Sequence, residues 1–131
     1  MIKRYLIIFG VFLLIDAAWL GLVAPKFYKN NIGHLMADKV NFIPAIIFYL
    51  LYVSAILIFI VNPTAESGNI LKGILMGAFL GLVMYATYDL TNMATLKGWP
   101  TIVTVVDLIW GSFVTAATTG ISIKIINILG L

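Results

Sequence analysis

Apolar residues gather in four long blocks along this chain, at residues 5–24, 42–61, 71–92 and 101–123, and polar residues crowd between them. Each block is close to the ~20 residues that a helix needs to cross ~30 Å of hydrocarbon. The pattern therefore predicts an all-α, integral membrane four-helix bundle forming one domain over residues 1–131. Lys3 and Arg4 precede the first block, as in a signal peptide, but the block is longer than a signal core and carries Asp16 and Trp19. It is read as a retained helix. The second block is entered through Pro44 and is expected to stop at Asn62-Pro63, leaving residues 62–69 as a turn-rich loop. Having no ionisable residue, it is the span expected to face lipid.

Between the first two blocks, Tyr28, Ile32, Leu35 and Met36 recur at helical spacing, with Lys29, Asn30 and Lys39 off that stripe. This predicts a short interfacial helix, weakened by Gly33. The third connection, residues 91–100, is semi-polar, and Trp99 within it suits an interfacial aromatic belt.

Composition agrees with the pattern: 131 residues, 63% hydrophobic and 10% charged, against about 25% charged in soluble domains. The absence of Cys removes disulfides, thiolate metal sites and iron–sulfur clusters, and a single His, His34, removes any site needing two imidazoles. No metal and no cofactor are expected. The net charge of +3 comes from eight Lys and Arg against five acids, and the basic residues, single apart from Lys3-Arg4, form no nucleic-acid-binding patch. These residues flank the spans, with Lys3, Arg4, Lys72 and Lys124 on one face and Lys26, Lys29, Lys39 and Lys97 on the other. The balance is even, and only the Lys3-Arg4 pair favours amino and carboxyl termini in the cytoplasm.

Of five acidic residues, Asp16, Asp89 and Asp107 lie inside the apolar blocks, where an ionised carboxylate costs about 2.5 to 3.5 kcal/mol on insertion scales. If the spans alternate in direction, all three fall in one half of the membrane, within roughly 12 Å of the same face. No Lys or Arg lies within a span to neutralise them. They are expected to converge on one polar site, and each must be protonated, hydrogen-bonded, hydrated or cation-bound. Tyr85, Asp89 and Asn92 share a helix face with Tyr88 adjacent, and the spacing Asp-x-x-Trp occurs twice, as Asp16 with Trp19 and Asp107 with Trp110. A Trp one turn from each acid can donate its indole N–H and wall off a pocket, or serve in an interfacial belt. Gly73, Gly77 and Gly81 form a GxxxGxxxG run suited to close helix packing, with Thr104, Asp107, Gly111 and Thr115 as a small, polar ridge to receive it.

The stretch from Tyr88 to Pro100, with Asp107-Leu-Ile-Trp110-Gly111 and Asp16-Ala-Ala-Trp19-Leu20, resembles a family of small predicted bacterial membrane proteins, domain of unknown function 2177. The resemblance covers nearly the whole chain and implies a four-helix protein of the bacterial inner membrane, without assigning an activity. In outline the chain is also similar to small multidrug-resistance transporters, whose intramembrane acid is Glu. The tandem aspartates of intramembrane aspartyl proteases are a poorer match, because Val105-Val106 stand where Gly-x-Gly precedes the second acid. Three functions are consistent with these residues. The first is binding or transport of a proton, cation or small polar solute by a homo-oligomer, since one bundle of four helices leaves little room for a pathway. The others are a lipid-modifying enzyme with paired Asp residues, and an accessory subunit.

Overall fold

The computed structural model describes all 131 residues, and every regular element is helical. Helix α1 spans Ile2–Leu22 and is followed after one residue by α2, Ala24–Ile32, and a single 3-10 turn, Gly33–Leu35. Helix α3, Phe42–Ile56, continues through a π-turn, Leu57–Val61, into α4, Asn62–Ser67, so that Phe42–Ser67 forms one membrane-length helix. Helices α5, Ile70–Thr95, and α6, Thr101–Leu129, complete four helices long and apolar enough to cross a membrane. Arg4 donates to the Leu131 carbonyl and to Asn62 Oδ1, so the start of α1, the end of α6 and the α3–α4 span meet at one end of the bundle.

The spans exceed the apolar blocks because polar residues cap them rather than stop them early. Asn41 accepts from the Ile43 N–H and Asn69 from the Lys72 N–H, which satisfies donors exposed at a helix start. Asn62-Pro63 does not end the second span as expected. The Asn62 N–H bonds the Leu57 carbonyl one residue further back than in an α-helix. This wider turn, placed just before Pro63, absorbs the ring and the missing N–H, and the Thr64 hydroxyl takes up the Ile60 carbonyl. The helix ends at Gly68, whose φ of 71° is costly for any residue with a Cβ. Pro25 likewise opens α2 in its first turn instead of breaking the chain there.

Helix α6 is the central pillar, with buried residues along its whole length from Val103 to Ile126. Its apolar side joins Ile8 and Phe12 of α1 and Tyr52, Val53 and Ile56 of α3 in the main core. Its small, polar side receives α5, whose buried residues are Gly73, Gly77, Gly81 and Asp89 alone. A Cβ at Gly77 would stand 2.7 Å from Thr119 Oγ1 and 3.0 Å from the Thr115 carbonyl oxygen, and one at Gly111 would enter the Tyr85 ring. Only glycine permits this approach, and it sets the two helices close enough for Ser112 Oγ to donate to the Ala78 carbonyl at 3.0 Å. The second span is not simply a lipid-facing helix. Tyr52 shares a 2.7 Å hydrogen bond with the Thr115 hydroxyl of α6, while Ile43, Ile46, Ile47 and Leu51 point outward.

Candidate functional site

Asp16 stands six residues before the end of α1, Asp89 six before the end of α5, and Asp107 six after the start of α6. At ~1.5 Å per residue each lies about 9 Å from the same end of the bundle, and all three are buried. Asp16 and Asp107 nevertheless line two different, adjoining pockets, and Asp89 is buried beside Asp107 without lining either. No three His, Cys, Asp or Glu side chains gather closely enough to hold a metal ion.

The first pocket is a cleft of about 590 Å³ lined by Asp16, Trp19 and Leu20 of α1, Tyr28 of α2, Ala45, Phe48 and Tyr49 of α3, Met84, Tyr85 and Tyr88 of α5, and Trp110 of α6. Tyr49 donates to Asp16 Oδ2 at 3.1 Å. Trp19 and Trp110 stack face to face, with centroids 4.5 Å apart and planes 11° from parallel. The two Asp-x-x-Trp segments thus meet through their indoles. The Trp110 indole N–H is buried beside Asp16 without a bonded partner, so a donor stands ready in the cleft wall. Leu20 and Phe48 are exposed on the outer surface, so the cleft opens sideways toward lipid.

The second pocket, of about 320 Å³, lies under α2 and is lined by Tyr28, Ile32, Met36, Tyr85, Tyr88, Trp99 and Asp107. Tyr28 donates to Asp107 Oδ1. Asp89, fully buried, lies within interaction range of Asp107, and neither of its carboxylate oxygens has a hydrogen-bond partner. Burial and the bond to Asp107 both push the Tyr28 hydroxyl above its ordinary range, so it stays a proton donor. Tyr28, Tyr85 and Tyr88 line both pockets and form the wall between them.

Trp99, expected in an interfacial belt, is 9% exposed. Its indole donates to the Thr104 hydroxyl at 3.0 Å, its ring meets Tyr88 edge-on at 5.9 Å, and with Val103 it packs on Ile32 of α2. The reason is local: Gly98 at φ 70° and Pro100 turn the α5–α6 connection inward over α6. Asn92 is half-buried one turn beyond Tyr88, and His34 is exposed. Tyr49 and Tyr28 join the site without a motif that marks them. In the sequence Tyr28 stands out only as a member of the α2 stripe, and Tyr49 only as one of two tyrosines, with Tyr52, in a span without charged residues.

A family model described as a predicted membrane protein, DUF2177, matches residues 1–124. No curated protein and no solved structure matches the chain.

Proposed function

We propose that this chain, which belongs to the DUF2177 family of predicted membrane proteins, binds a small organic cation in the Asp16 cleft, as one step of transport by a homo-oligomer. The observation that carries the reading is the make-up of the cleft: one carboxyl group surrounded by Trp19, Trp110, Tyr28, Tyr49, Tyr85 and Tyr88, with no Lys, Arg or His among its lining residues. Aromatic faces attract cations by roughly 0.5 to 2 kcal/mol each, more when desolvated, and a carboxylate supplies the counter-charge. An anion would meet neither. The sideways opening admits a ligand that partitions into the bilayer, such as an amine or quaternary ammonium with an apolar body. The carboxyl and aromatic groups include no Ser, Thr or Lys that could serve as an activated nucleophile, which favours binding over lipid chemistry.

Tetraphenylphosphonium binding to the purified protein, followed by quenching of tryptophan fluorescence, tests this. Asp16→Asn should weaken binding by at least about tenfold, equivalent to ~1.4 kcal/mol. Tetraphenylborate, of the same shape and opposite charge, should not compete. Equal binding of the two ions, or wild-type affinity in Asp16→Asn, would overturn the assignment.

A further inference from the structure

The second pocket has a chemistry of its own. Asp89 on α5 and Asp107 on α6 lie within hydrogen-bonding range of one another, with Asp89 fully buried and the Thr104 hydroxyl of α6 donating to its backbone carbonyl at 3.4 Å. From α2 the only titratable group against them is Tyr28, which donates to Asp107; from α5 come Tyr85 and Tyr88. Asp16 of α1 lies beyond the tyrosine wall, in the neighbouring cleft. No basic side chain bonds or pairs with either carboxyl. Two carboxylates in such surroundings repel strongly and leave the oxygens of Asp89 without any donor. A single proton between them resolves both problems, turning repulsion into a hydrogen bond and giving Asp89 its missing partner.

We propose that the Asp89–Asp107 pair is a proton-binding site, reached through the pocket beneath α2 and distinct from the Asp16 cleft. The proton lies between the facing carboxyl oxygens, and Tyr28 occupies the remaining Asp107 oxygen, so α2 docks against the singly protonated pair. Loss of the proton leaves two adjacent charges, and the Tyr28 hydroxyl can solvate only one of them. The pair is thereby linked to the position of α2, which also forms a wall of the organic-cation cleft through Tyr28.

The test is infrared spectroscopy of the full chain in detergent at neutral pH, with no organic cation present, so its result is independent of the Asp16 reading. The wild type should show a protonated-carboxyl C=O band that shifts in deuterium oxide. Asp89→Asn and Asp107→Asn should each abolish it, while Asp16→Asn should leave it unchanged. Asp89→Asn keeps the shape and donor capacity of the protonated acid, so its thermal midpoint should match the wild type, which guards against a trivial loss of fold. A wild type without the band, or a band that survives both substitutions, would overturn the proposal. So would a band that appears only when sodium is replaced by N-methylglucamine, since the pair would then hold a metal cation in place of the proton.

Discussion

Tyr28 is a single hydroxyl on a short helix outside the spans, yet it bonds Asp107, meets Trp19 edge-on at 6.4 Å and lines both pockets. Removing one partner of a buried hydrogen bond costs about 1–3 kcal/mol. Tyr28→Phe should therefore lower the thermal midpoint in detergent clearly more than Tyr88→Phe, whose residue is 56% exposed. The pH dependence has a definite sign. Burial, then the bond to Asp107, raises the Tyr28 hydroxyl above its unfolded value. Its stabilising contribution is intact below the unfolded value of ~10 and is lost as pH rises beyond it. Wild type should lose stability above about pH 10 more steeply than Tyr28→Phe, as circular dichroism melts across that range would show. Equal slopes would mean that the hydroxyl is free to ionise in the folded protein.

At the scale of elements, the α5–α6 pair rests on the absence of side chains. Overpacking a close-packed site costs about 1–3 kcal/mol, and more where backbone blocks relaxation. Gly77→Leu places its new atoms against the Thr119 hydroxyl and the Thr115 carbonyl and should sharply reduce folded yield. Gly10→Ala and Gly21→Ala, with nothing within 4 Å of the added carbon, should leave yield and melting unchanged. This contact shows what could be read in advance. Spacing of four along one helix exposes a glycine face, and a matching Gly-Thr ridge occurs on α6, so the partner surfaces were visible in residue order alone. The same holds for the depth of the three acids, which follows from span direction and helical rise. That Asp16 and Asp107 line separate pockets is not legible in the sequence, because it depends on helix rotation and on where α2 lands. Neither leaves a periodic trace in four helices that are apolar nearly all round. The passage of the helix through Pro63 is illegible for a related reason: a proline's effect depends on the hydrogen-bond register before it, and the π-turn that accommodates it has no simple residue signature.

For the whole molecule, the fold constrains topology more tightly than the charges do. Ser67 ends the second span on the face where Arg4 meets Leu131, whereas Lys97 lies in the α5–α6 connection at the opposite face. Single cysteines at Ser67 and Lys97 should react with a membrane-impermeant reagent from opposite sides, and labelling of both exclusively from the same side would refute four crossings. Which face meets the cytoplasm is a separate matter, decided by flanking Lys and Arg. Those stand four against four, so the flanking charges give the bundle no strong bias. Lys26 and Lys29 are exposed on α2 and make no hydrogen bond or ion pair, so they can be neutralised without disturbing the bundle. Replacing both with Gln leaves four charges on the Arg4 face against two on the other, which should commit the chain to one orientation. Cysteine at Ser67 should then label only from the cytoplasmic side, with any minor population of inverted molecules lost. Labelling of Ser67 from outside in the Lys26→Gln, Lys29→Gln variant would show that a signal other than charge balance orients this bundle.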